Sequence, residues 1–344
     1  MEYALFDEKV SKGVYENLVK SVENNLTPMH EYITLRKKVL GLDDIHMYDM
    51  NVAMIPNAEI SVDYDEAYEY VLKGLKPLGD DYVELLKMAK EKRWLDVCET
   101  PTKRSGAFSL RVYAAHPYVL LNYQKTTDDI FTLAHELGHC LHSYYSCETQ
   151  PFAKSAYKIF VAEVASTCNE ILLLKYLLDT VTDVNVRKYL LSFYLDTLRG
   201  TMYHQTMFAE FEAATHEMAE KGQPLSGKVM NEKYYELTRK YYGNEVVIDE
   251  QVKYNWSKVP HFYRAFYVYK YATGIISAVT LAQKILTEGK PAVERYKKFL
   301  AMGGSQDPVS ELKAAGVDLT TAEPFETAAK AFKDTLDQLK KLCE

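Results

Sequence analysis

The run His135-Glu136-Leu137-Gly138-His139 places two imidazoles four residues apart with a carboxylate between them. On an α-helix that spacing sets both rings one turn apart on the same face, where they can share one zinc ion. The carboxylate then stands where it can take a proton from a water that the metal has acidified. Gly138 lowers helix stability by about 1 kcal/mol relative to Ala, so something must pack closely against the helix there. A neighbouring strand or a substrate backbone is the expectation.

The flanking residues predict the helix that such chemistry needs. Thr127, Asp128 and Asp129 supply a cap and negative charge suited to a helix start. Ile130, Leu133, Ala134, Leu137 and Leu141 then recur with helical period as one apolar stripe. His135, His139 and His142 fall on the opposite side.

A catalytic zinc site takes a third protein ligand and leaves one position to water. The segment from Tyr157 to Glu170 reads as a second helix, in which Glu163, Ser166, Thr167 and Glu170 share a face. Its surroundings are apolar, and an acidic group buried there needs a partner. That partner is a zinc ion or an Arg or Lys from elsewhere. Glu170 or His142 would then orient the ligand imidazoles.

These two segments, His-Glu-Leu-Gly-His and Phe160-Val161-Ala162-Glu163-Val164-Ala165-Ser166-Thr167-Cys168-Asn169-Glu170, resemble oligoendopeptidase F in the thimet-oligopeptidase family of zinc peptidases. The likeness extends over Lys103 to Ser109 and His116 to Tyr123, similar to the strands that precede the zinc helix. It also takes in Pro260 to Gly274, similar to a Tyr-rich active-site segment, and Gly316 to Thr320 near the end. The resemblance implies one Zn2+ held by His135, His139 and Glu163, with Glu136 as the base. It implies a mainly α, zincin-like helical metallopeptidase with a small β-sheet beside the zinc helix. Family members are longer, with an N-terminal helical region that walls a deep channel. This chain is therefore expected to begin where the catalytic half begins, and a separate N-terminal half is an implied partner.

The remaining site residues follow from the chemistry of peptide hydrolysis, which needs donors for an oxyanion. His261, Tyr263, Tyr267 and Tyr271 are the candidates, the three tyrosines being spaced to share one helical face. Tyr269 points elsewhere. Ser105, Gly106 and Ala107 form a candidate strand edge to which a peptide backbone could add.

Punctuation along the chain organises these residues. Helices are expected from Val10 to Glu23 with Asp7 as cap, from Thr27 to Leu40 with Gly41 as stop, from Asp63 to Lys76 and from Asp80 to Lys92. Trp94 to Tyr123 carries the Pro, Gly and Ser punctuation of a small sheet. Helices resume from Asp128. A single catalytic domain over residues 1–344 is expected, with a helical part to about residue 93 and the sheet, zinc helices and C-terminal helices over 94–344.

Composition narrows the class. At 344 residues and 47% hydrophobic content the chain can bury a large core, and a net charge of −7 argues against nucleic-acid binding. No apolar run of twenty residues suggests a membrane span, and no secretory leader is expected. Five cysteines at irregular spacing suggest free thiols in a cytoplasmic protein. The function expected is a zinc metalloendopeptidase acting on oligopeptides. A zinc carboxypeptidase or aminopeptidase is one alternative, in which Arg104, Arg199 or Arg264 could capture a terminal carboxylate. A non-catalytic peptide-binding fragment without the channel wall is the other.

Overall fold

The computed structural model describes residues 1–344. The chain is mainly α-helical, as the sequence predicts. In order, the helices are α1 (Glu2–Phe6), α2 (Lys12–Glu23), α3 (Leu26–Leu40), α4 (Tyr64–Gly74), α5 (Asp80–Glu91), α6 (Thr127–Thr149), α7 (Ile159–Thr180), α8 (Val184–Leu198), α9 (His204–Glu220), α10 (Gly227–Tyr242), α11 (Tyr269–Glu288), α12 (Lys290–Leu300), α13 (Pro308–Ala315) and α14 (Glu323–Cys343). Two compact units emerge. One comprises Met1–Pro56, Leu191–Thr273 and Leu319–Glu344, and the other Asn57–Leu190 and Gly274–Asp318.

The second unit is built around α6 and α7, which pack against each other more extensively than any other pair. Helix α6 starts at a capping box. Thr126 Oγ1 accepts from the Asp129 N–H, and the Asp129 carboxylate accepts in return from the Thr126 N–H at 2.9 Å. The cap is thus Thr126 and not Thr127, whose hydroxyl instead bonds the backbone of Ile60. Nor is α6 half-exposed. His142 is buried along with the apolar stripe, because α4, α7 and α12 surround the helix. Helix α7 is buried over most of its surface, from Phe160 and Val161 through Val164, Cys168 and Leu172 to Leu177, with a half-buried stripe through Glu163, Thr167 and Glu170, so its amphipathic pattern is weak. Beside α6 lies a small sheet of β2 (Leu95–Asp96), β3 (Phe108–Leu110) and β4 (Tyr118–Leu120), in the order β2-β4-β3. β2 runs parallel to β4, and β3 antiparallel with Ser109 opposite Val119, which leaves β3 as an edge.

A buried carboxyl in the same unit gives a pH-dependent prediction. Glu311 in α13 is 1% exposed, and its Oε1 has no hydrogen-bond partner. Burial pushes its carboxyl up to about 7, against a backbone hydrogen bond at Gln306. The folded value lies above the unfolded one, so the contribution present at acid pH is lost as pH rises through 7. Glu311→Gln should therefore raise stability by about 2 kcal/mol at pH 8 and change little at pH 5, as urea melts at the two pH values would show.

In the first unit, Ser11 rather than Asp7 stands at the N-cap position of α2, without a side-chain capping hydrogen bond, and Asp7 instead ends α1, while α3 stops at Gly41 with φ +66° as expected. A two-stranded parallel ladder joins β1 (Ile45–His46) to β5 (Val246–Val247). No helix of the chain is long and apolar enough to cross a membrane. All five cysteines are free thiols.

Candidate metal centre

Within the second unit, the turn spacing of α6 and the packing of α7 bring three ligand atoms together. His135 Nε2 and His139 Nε2 are 3.1 Å apart, and Glu163 Oε2 lies 3.2 Å from the first and 3.4 Å from the second. Tetrahedral zinc with bonds of 2.0–2.1 Å sets its ligands about 3.3 Å apart. Three atoms at these separations can therefore meet one ion without rearrangement.

Electrostatics point the same way. Burial disfavours a charged His135, yet its hydrogen bonds to Glu163 and Glu170 and their charges outweigh that and raise it to about 10. Burial also works to raise Glu163, and the two imidazoles overcome this and hold it far below the usual carboxylate range. The site is thus arranged to keep positive charge at the point the three atoms share.

The groups around the triad fix its orientation. His135 Nδ1 donates to Glu170 Oε1. A carboxylate only accepts, so Nδ1 carries a hydrogen, and Nε2 is the nitrogen left to ligate once its own proton is displaced. Ser166 Oγ bonds both the Glu163 carbonyl, at 3.0 Å, and its Oε2, at 3.3 Å. His142 is fully buried, stacked 3.8 Å from the Tyr157 ring, and burial with His139 nearby holds it down to about 3. It therefore packs as a neutral ring. Glu170→Gln removes the full charge that orients His135 and should weaken metal binding by about 10- to 100-fold while leaving the fold intact, as a competition titration with a zinc-sensitive dye would show.

Glu136 is 6% exposed, and its Oε2 has no hydrogen-bond partner. Burial raises its carboxyl, against the pull of His135 and His139. A buried carboxylate with an idle oxygen beside three converging ligands is suited to accept a proton.

Gly138 has a different neighbour from the strand or substrate expected. A Cβ there would stand 2.5 Å from Ser166 Cα and 2.8 Å from Ala165 O, so the close approach is between α6 and α7. Asn169 strengthens that contact without any signal in the sequence. Its Nδ2 donates to Ala134 O at 3.1 Å, and its Oδ1 accepts from Tyr82 Oη at 3.2 Å.

Other expected site residues are placed differently. Ser105, Gly106 and Ala107 precede the edge strand β3 rather than forming it. Gly106 has φ +85° with open space where a Cβ would stand, so backbone conformation calls for glycine there. In the first unit, the tyrosine segment is not one helix. Pro260–Tyr263 is a short 3-10 turn, Phe266 is left-handed at φ +56°, and α11 begins only at Tyr269. Tyr263 is consequently 90% exposed and apart from the others. Tyr267 and Tyr271 do converge on His261. The Tyr267 ring stacks on it at 5.6 Å, and Tyr271 Oη lies 3.2 Å from its Nε2. Tyr269 is buried elsewhere, as expected.

The family model for Peptidase family M3 matches residues 1–331. Oligopeptidase PepF of Bacillus subtilis (strain 168) is 48% identical over 341 residues, covering 99% of this chain and 51% of that protein. Oligoendopeptidase F homolog of Borreliella burgdorferi is 42% identical over 98% of this chain and 58% of its own length. A crystal structure from Chlamydophila abortus superimposes with a TM-score of 0.93 at 38% identity, covering 99% of this chain and 57% of that one. The oligoendopeptidase-F structure from Enterococcus faecium gives 0.79 at 36% identity, covering 99% and 55%. The chain spans about half the length of the curated relatives it matches.

Proposed function

Because the chain belongs to peptidase family M3, we propose that it hydrolyses internal peptide bonds of oligopeptides, with Zn2+ held by His135, His139 and Glu163. The observation that carries this reading is the set of separations from 3.1 to 3.4 Å among the three ligand atoms. Bound there, zinc would polarise the scissile carbonyl and bring the pKa of a water to about 7.

Glu136 takes a proton from the attacking water and delivers it to the leaving nitrogen, a role that its burial and raised pKa support. Glu170 holds His135 in the tautomer that ligation needs. The oxyanion donors are His261, Tyr267 and Tyr271, with Tyr263 assigned a lesser part because of its exposure. Their role rests on the family resemblance and on their mutual contacts. The unpaired edge of β3, just after Ser105, Gly106 and Ala107, receives the substrate backbone as an added strand. Five free thiols fit a cytoplasmic setting. Internal cleavage is favoured over removal of terminal residues by the name oligoendopeptidase F that several relatives carry.

The test is an internally quenched peptide blocked at both ends, given to this chain with and without a chelator. Cleavage that a chelator abolishes and zinc restores supports the proposal. If only peptides with a free end are cut, the chain is an exopeptidase. If cutting occurs only after a separately expressed N-terminal half of a relative is added, the chain alone is a peptide-binding fragment.

A further inference from the structure

Glu212 lies in α9, in the first unit, and is 2% exposed. Its Oε1 accepts from the Phe266 N–H at 2.7 Å, and its Oε2 is buried without a hydrogen-bond partner. Phe266 is the residue at φ +56°, a conformation that an aromatic side chain adopts only when its surroundings enforce it. Three contacts enforce it here. The Phe266 ring is buried edge-on to Tyr15 at 5.6 Å and against His216 at 4.7 Å, and Glu212 anchors its amide.

The consequence falls on the next residue. The left-handed turn at Phe266 separates the 3-10 turn carrying His261 from the start of α11, and it brings Tyr267 back over the His261 ring with the two planes 4° apart. The Lys270 ammonium, paired with Glu8 at 2.7 Å, sits 5.3 Å from the same Tyr267 ring. We propose that Glu212 is a positioning residue, whose carboxyl oxygen holds the Phe266 amide and thereby sets His261, Tyr267 and Tyr271 in register for catalysis. This inference rests on the peptidase reading for its catalytic consequence, and on the first unit alone for its geometry.

The role needs an acceptor and not a charge. Burial pushes the Glu212 carboxyl up to about 7, against the Phe266 hydrogen bond and the Lys270 charge. Glutamine offers the same acceptor in a similar volume.

The experiment compares Glu212→Ala, Glu212→Gln and the parent chain by hydrogen exchange over residues 264–268 and by steady-state kinetics on the quenched peptide. Glu212→Ala should speed exchange there by about tenfold and lower kcat by about 10- to 100-fold, with KM changed less than about twofold. Glu212→Gln should restore both, a pattern that mere loss of packing would not give. Exchange unchanged in Glu212→Ala overturns the proposal, and so does a Gln variant as impaired as Ala. If Glu212→Ala does not fold, Glu212→Asp draws the acceptor back by one methylene and should speed exchange at the same residues. Unchanged exchange in that variant also overturns the proposal. A parent chain without turnover counts against the peptidase reading, while the exchange comparison still decides the role of Glu212.

Discussion

Glu136→Gln is expected to lower kcat by about 1,000-fold, equivalent to about 4 kcal/mol of transition-state stabilisation, while zinc stays bound. The two effects separate because Glu136 is not among the converging ligand atoms, which come from His135, His139 and Glu163. The substitution keeps the side-chain volume in a site where Glu136 is only 6% exposed, so packing is undisturbed. It removes a group whose charged form burial already disfavours, so the fold should be no less stable. What is lost is the capacity to accept a proton. Metal analysis and kinetics on the same preparation decide the matter. Turnover within about tenfold of the parent chain would mean that another group serves as the base.

How much of this could be read in the chain depends on how local each feature is. His135, Glu136 and His139 are legible because one helical turn suffices to assemble them. Glu163 sits on a different helix, and only the α6–α7 packing places its Oε2 within 3.4 Å of both imidazoles. The family resemblance supplied what spacing alone left open. The start of α6 was displaced by one residue because Thr126 and Thr127 are chemically equivalent caps, and only the reach of Asp129 chooses between them. The tyrosine segment departs from its pattern for a different reason. Residues 263, 267 and 271 have helical spacing, yet the turn at Phe266 interrupts the helix. The Phe266 amide there is held by the Glu212 carboxyl from α9, and no local pattern announces that contact. Gly138 marked a close approach correctly in kind, but its partner was a helix backbone distant in sequence.

That approach gives a prediction of opposite sign to the usual rule. Gly→Ala in the interior of a helix normally stabilises by about 1 kcal/mol. At Gly138 the new Cβ would stand 2.5 Å from Ser166 Cα, against the 3.4 Å or more of ordinary contact, and 2.8 Å from both Ala165 O and Ser166 N. These are backbone atoms, so no rotamer change relieves the overlap, and α6 and α7 must part locally by about an ångström. We expect Gly138→Ala to lose about 2–3 kcal/mol of stability, the overlap outweighing the gain in helix propensity. The metal site should suffer as well. Gly138 adjoins His139, and Ser166 follows Glu163 by one turn, so the same displacement draws the carboxylate away from the imidazoles. Metal sites tolerate about 0.2 Å in ligand distance, and zinc affinity should fall by more than about 100-fold. Glu170→Gln serves as the control, because it weakens binding without wedging the helices apart. Urea melts and zinc competition on the two variants would separate the effects. A Gly138→Ala chain that melts no earlier than its parent and binds zinc equally well would show that α6 and α7 do not approach this closely, and the ligand geometry that depends on their contact would fall with it.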